Sequence, residues 1–268
     1  MKHPLNRNPM TMILDDPSIS SIVFYPQKIK VPRRLPKDVE ILQFKISEDV
    51  TLGGLYFLKD KALPTMLLFH GNGEICTDYA DGAEDYMGCG VNLAVMDFRG
   101  YGFSTGTPFY SCLFSDALPV YEHLRKWIQE KAFNDSIFIF GRSLGSACAA
   151  EVGSKDPEGL KGVIFESGFA NTYRLMTRLF HIDGEFLPKD MIKEWSNDTR
   201  INKFTKPVLI IHGTEDFIVH SEQAQMIYDA VPDVYKKKVM IMHAGHNDIF
   251  FFKDEYLPEI KNFIDEFK

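Results

Sequence analysis

Residues 138–152 read FIFGRSLGSACAAEV. Three bulky apolar residues, Phe138, Ile139 and Phe140, suit a buried strand. Gly141, Arg142, Ser143, Leu144 and Gly145 follow, and then a run of small residues that suits a helix packed close to that strand. A core has no use for a serine fenced by two glycines. A hydroxyl held on a tight turn has. The pattern G-x-S-x-G between a strand and a helix is that of a nucleophile elbow. Ser143 is expected in a strained backbone conformation there, and side chains at 141 and 145 would collide with neighbouring elements. The hydroxyl then projects above the sheet, at a helix N-terminus whose partial positive charge favours a developing anion. The bland alternative is an incidental glycine-rich turn, so the rest of the chain has to decide.

Outward from this stretch, strand and helix patterns alternate. TMLLFH (65–70), NLAVMDF (92–98), SIFIF (136–140), GVIFE (162–166), PVLIIH (207–212) and KVMIM (238–242) are short apolar runs, as expected for strands covered on both faces. Helical patterns fall between them, near 76–88, 115–131, 144–155, 221–230 and 255–267. Ahead of them, VEILQFKIS and TLGGLYFL predict an antiparallel hairpin. Residues 1–38 read as an irregular Pro-rich, basic arm. The expected architecture is α/β: one domain over 1–268, with a doubly wound, mostly parallel eight-stranded sheet and an N-terminal antiparallel hairpin.

In such sheets function collects at the carboxyl ends of the strands. The unusual residues stand there: His70 to Gly73, Asp97 to Gly102, Gly141 to Gly145, His212 to Asp216 and His243 to Asp248. A serine nucleophile needs a base. His246, in the loop after the last strand, is the best of the eight histidines. His70 and His212 each open a His-Gly turn and read as residues that fix their loops. His243, three positions before His246, reads as part of a turn. The base needs an orienting acid. Asp216 is preferred, because it gives the order serine, acid, histidine. Asp248 lies too near His246 and reads as a cap of the following helical segment. Two N–H donors must hold the oxyanion. Leu144 follows the nucleophile, and Asn72 is favoured over Gly73 in the loop after TMLLF, where glycines let the backbone approach closely.

Composition bounds the rest. The chain has 268 residues, enough for a large core, and a net charge of -7, which argues against a nucleic-acid partner. The run Lys236, Lys237 and Lys238 reads as solvated surface. Cys76, Cys89, Cys112 and Cys148 form no C-x-x-C pair, so no metal site is expected, and reduced thiols in a cytoplasmic protein are. Prolines and charges interrupt the first residues, which therefore do not read as a signal peptide. No stretch approaches the roughly 20 apolar residues of a membrane span.

Together, HGNGE (70–74), DFRGYGFSTG (97–106), GRSLGSA (141–147), HGTEDFIV (212–219) and GHND (245–248) resemble the α/β-hydrolase superfamily. The combination is most similar to its small-lidded serine hydrolases of the esterase and depalmitoylase-like branch. The resemblance implies Ser143 as nucleophile, Asp216 as acid, His246 as base, and Asn72 and Leu144 at the oxyanion hole. It implies no cofactor and no catalytic role for Asp97, Arg99 or Ser104. Gly73 and acidic Glu74 depart from the small residue common after HGN, which would alter the entrance of the site. Ser146 stands where a third glycine is common. Residues 171–204 form an insert longer than an ordinary α/β connection. In this fold an insert there sits above the site, so a small helical cap is expected, with Met176, Leu179 and Phe180 lining an apolar pocket beside Gly73. The expected activity is cleavage of a small-molecule acyl ester or thioester through an acyl-enzyme. The alternatives are a prolyl-oligopeptidase-like peptidase and a non-catalytic binding protein on the same fold. Arg142 has no assigned part beyond a structural salt bridge.

Overall fold

A computed structural model describes residues 13–182 and 188–268. Eight strands form one sheet: β1 (Val39–Lys45), β2 (Thr51–Phe57), β3 (Thr65–Phe69), β4 (Asn92–Met96), β5 (Ile137–Arg142), β6 (Leu160–Glu166), β7 (Val208–Gly213) and β8 (Lys236–Ile241). Their spatial order is β1-β2-β4-β3-β5-β6-β7-β8. β2 runs antiparallel to β1 and to β4, and all other pairs are parallel.

The apolar runs of β3 to β7 have a simple cause. Helices cover both faces, so alternate side chains enter two different cores. Leu67, Ile139, Val163, Phe165 and Ile210 belong to one. Met66, Leu68, Phe138, Phe140, Ile164 and Leu209 belong to the other. The first is closed by helices α3 (Ala117–Glu130), α4 (Ser146–Lys155) and α6 (Glu222–Ala230). The second is closed by α2 (Ala83–Gly88) and α7 (Lys253–Phe267). The small residues of α4 let it lie close to the sheet: Ala147, Ala149 and Ala150 are fully buried.

Four details differ from the sequence reading. The N-terminal arm is not wholly irregular. Helix α1 (Pro17–Val23) begins on Asp16, whose carboxylate accepts from Ser18 N at 2.8 Å, with Pro17 at its first position. It buries Ile19 and Val23 in the first core. Seven residues are too few for the helical period to stand out. The helix expected near 76–88 is broken into a 3-10 turn (Cys76–Tyr79) and α2. β8 starts two residues early, so Lys236 to Lys238 are half-buried in an edge strand. Lys236 Nζ donates to the carbonyls of Tyr228 and Val231, while Lys237 and Lys238 pair with Glu259 and Gln225. Charged edge residues of this kind discourage pairing with another sheet. Within the segment expected to cap the site, α5 (Thr172–Leu179) is followed by single turns at Lys189–Ile192, Lys193–Trp195 and Asp198–Ile201, and residues 183–187 lie outside the described residues. Among the described residues no helix is long and apolar enough to cross a membrane.

Candidate active site

β5 ends beside β3 and the chain turns sharply into a 3-10 turn, Ser143–Gly145, that feeds α4. Ser143 has φ +48°, in the left-handed region that non-glycine residues seldom occupy. Such a residue costs on the order of 1–3 kcal/mol and persists only where its surroundings hold it. A Cβ on Gly145 would overlap the Phe69 carbonyl of β3, and one on Gly141 would lie 2.6 Å from the Ala149 Cβ of α4. The two glycines are therefore what lets strand, turn and helix close on each other with the serine at the apex.

His246 reaches this serine from the loop after β8. Ser143 Oγ donates to His246 Nε2 at 2.9 Å, and His246 Nδ1 donates to Asp216 Oδ2 at 2.7 Å. Asp216 sits after β7 and is almost fully buried. Burial opposes its charge, but hydrogen bonds from His212 and His246 outweigh burial and hold the carboxyl well below the usual carboxylate range. Its second oxygen accepts from Ile218 N at 3.0 Å and Val219 N at 2.8 Å. An ionised, fully bonded Asp216 fixes the proton of His246 on Nδ1 and leaves Nε2 free to accept from serine.

The neighbouring histidines serve the loops. His212 Nε2 donates to the Val219 carbonyl at 2.7 Å and lies 3.2 Å from Asp216 Oδ2. Buried His70 donates from Nδ1 to the Gly71 carbonyl at 2.7 Å, and its Nε2 lies 3.4 Å from Asp97. His243 is exposed and bonds Glu215 at 2.9 Å. Asp248 corrects the sequence reading. It stands at the N-cap of the next 3-10 turn, but its carboxylate makes no capping bond there and instead accepts from Gly245 N at 2.6 Å, closing the loop that carries His246.

Ser143, His246, Asn72 and Leu144 share one pocket of about 270 Å³. The Asn72 side chain is committed elsewhere. Its Oδ1 accepts from Tyr101 OH at 2.6 Å and from Tyr25 N at 3.1 Å, and its Nδ2 donates to the Val23 carbonyl at 2.6 Å. Asn72 thus offers the pocket its main chain, while its side chain ties the loop to the N-terminal segment.

The pocket walls depart further from expectation. Leu179 and Phe180 line the pocket, but Met176 and Gly73 do not. Leu175 and Leu179, four apart on α5, share the pocket face. Met176 points away and is fully buried in the first core. Gly73 turns out of the pocket with φ +80° and accepts from Gln27 Nε2 through its carbonyl. Tyr25, Phe169, Ile218 and Val219 complete the apolar wall and were missed. Ile218 and Val219 had a signal, since they lie two and three residues after Asp216. Tyr25 had none, because nothing local ties the N-terminal segment to this loop. Glu74 also reaches the pocket, with both carboxylate oxygens already bonded to Arg142, Gly71 N and Tyr79. Among the described residues no group of three His, Cys, Asp or Glu side chains could hold a metal ion.

A family model described as "Serine aminopeptidase, S33" matches residues 60–189. "Protein bem46" of Schizosaccharomyces pombe is 25% identical over 245 residues, 90% of this chain and 81% of that one. "Alpha/beta hydrolase domain-containing protein 17C" of Mus musculus is 28% identical over 234 residues, 84% of this chain and 68% of that one. Among solved structures, the Pyrococcus furiosus esterase Pf2001 superposes with a TM-score of 0.70 at 19% identity, covering 90% of this chain and 98% of that one. The sheet order, the strand-end motifs and these relatives agree in supporting membership of the α/β-hydrolase superfamily, whose fold the chain has.

Proposed function

We propose that this protein is a serine hydrolase that cleaves carboxylic esters or thioesters, with Ser143 as nucleophile, His246 as base and Asp216 as orienting acid. The observation that carries the reading is the unbroken hydrogen-bonded line from Ser143 Oγ through His246 to Asp216, opening into an apolar pocket. His246 Nε2 takes the serine proton as Oγ attacks the acyl carbonyl. The oxyanion forms beside the main chain of Leu144 and Asn72. His246 then gives its proton to the departing alcohol or thiol. The acyl group stays on Ser143 until water, deprotonated by His246, attacks it and the acid leaves. Residues 171–204 act as a small cap, and Leu175, Leu179 and Phe180 on it receive the acyl chain.

A peptidase reading is kept, because the matching family model carries that description. An aminopeptidase would need a free carboxylate for the substrate's α-ammonium. Glu74, the carboxylate among the described residues that line the pocket, has its oxygens occupied, which favours the ester reading.

The test is a panel of p-nitrophenyl esters and acyl thioesters of two to sixteen carbons beside aminoacyl anilides, with wild type and Ser143→Ala. Ser143-dependent turnover that rises with chain length supports the proposal. Equal turnover of short and long chains removes the apolar acyl pocket, and turnover of anilides alone selects the peptidase.

A further inference from the structure

Arg142 stands between the strand and the nucleophile, and its side chain is only 11% exposed. It touches two loops and a strand end at once. Nε donates to Glu74 Oε1 at 2.7 Å, which belongs to the loop carrying Asn72. Nη1 pairs with Glu166 at the end of β6, and Glu166 also accepts from Tyr256 of α7. Nη2 donates to the main-chain carbonyl of His246 at 3.2 Å and lies 3.5 Å from Asn247 Oδ1. The Glu74 carboxylate passes the connection on through Gly71 N at 2.8 Å and Tyr79 OH at 2.6 Å.

Stability alone gives a poor account of this arrangement. A buried cation between two carboxylates carries a desolvation penalty, and well-packed apolar side chains often do as well or better. What a planar guanidinium supplies is direction: several donors in a rigid fork, which an ammonium cannot reproduce. Here the fork points at once to the loop of Asn72 and to the backbone of His246, with its own Cα next to Ser143. These are the three groups whose spacing sets the attack on the carbonyl.

We propose that Arg142 is a positioning residue that locks the Asn72 loop and the His246 backbone in register around Ser143, with Glu74 as the link to the first of them. The role rests on the hydrolase reading above. It acts on the chemical step and makes no bond to Leu175, Leu179 or Phe180, which would receive the acyl chain.

The experiment is the rate of covalent labelling of Ser143 by an alkyl fluorophosphonate, resolved into a maximal rate and a half-saturating concentration, beside thermal unfolding of each variant. Misplacement of reacting groups by about 1 Å costs about a hundredfold. Arg142→Met is therefore expected to lower the maximal rate about a hundredfold and Glu74→Gln about tenfold, both with half-saturation unchanged. Arg142→Lys keeps the charge and restores folding stability without restoring the rate. The double variant Glu74→Gln with Arg142→Met is no slower than Arg142→Met, since both cut one connection. Folded variants labelled at the wild-type rate, full rescue by lysine, or additive losses in the double variant would overturn the role. If Arg142→Met does not fold, Glu74→Gln, which retains the guanidinium and Glu166, decides alone. A wild type that takes no label overturns the hydrolase reading and this role with it. A labelled wild type with unslowed variants overturns this role only.

Discussion

The floor of the pocket and its wall are built by different means. Ser143, Asp216 and His246 stand on loops that leave β5, β7 and β8, so the parallel sheet itself brings them together at one edge. Each loop is then closed by short-range bonds: Asp216 to Ile218 N and Val219 N, Asp248 to Gly245 N, and the glycines that admit the Ser143 turn. The wall comes from three distant segments, around Tyr25, Phe169 to Phe180, and Ile218 with Val219. It is held by side-chain packing and by the Asn72 clamp on the N-terminal segment. Each of these three floor loops is therefore closed locally, and Arg142 ties the Ser143 turn to the His246 loop, whereas the wall is assembled from segments far apart in the chain.

Substitutions on the two sides should separate accordingly. Ser143→Ala should lower kcat for any substrate by about 10⁴- to 10⁶-fold with the fold retained, as steady-state kinetics beside circular dichroism would show. Asp216→Asn should cost about 10⁴-fold by misorienting the His246 tautomer, again irrespective of chain length. Asn72→Ala lies at the junction. Releasing the clamp to Val23 and Tyr25 should lower kcat about ten- to a hundredfold while KM moves little, and a wild-type kcat would disconnect the N-terminal segment from the floor. On the wall, Leu179→Ala should raise KM for long-chain esters by about tenfold and leave acetyl esters alone. Met176→Ala is the matched control. It should cost about 2–5 kcal/mol in chemical denaturation, with no change in chain preference, because Met176 faces the core.

The legibility of the sequence follows the same division. The sheet could be read because unbroken apolar runs suit strands covered on both faces, and the strand-end loops because they carry short glycine-bearing motifs. Arg142 could be noticed but not explained, since Glu74, Glu166 and His246 converge on it only through the topology. Met176 was misjudged because the period of α5 shows that one face is apolar, and both faces are: Leu175 and Leu179 meet the pocket, Met176 the core. Helix α1 and Tyr25 were missed because a seven-residue helix gives little period and its partner, Asn72, is far away in sequence. The lysines of β8 were misread because charge hides a strand whose ammonium groups reach out to carbonyls and carboxylates at the edge.

Acidity gives the smallest and most specific probe of the floor. The Asp216 carboxyl is held below its ordinary value, so its contribution to stability is present at neutral pH and is lost as pH falls below about 4, the unfolded-state range. Asp216→Asn should flatten that part of the acid-unfolding curve, and an unchanged acid limb would mean that the carboxylate is not held as the geometry implies.

The central claim is that Ser143 is a nucleophile activated by its line to Asp216, and intact-protein mass spectrometry after exposure to an alkyl fluorophosphonate tests it most directly. The account predicts one adduct, mapped to Ser143, absent in Ser143→Ala and strongly slowed in His246→Ala. No adduct on wild type, or an equal adduct on Ser143→Ala, would contradict it.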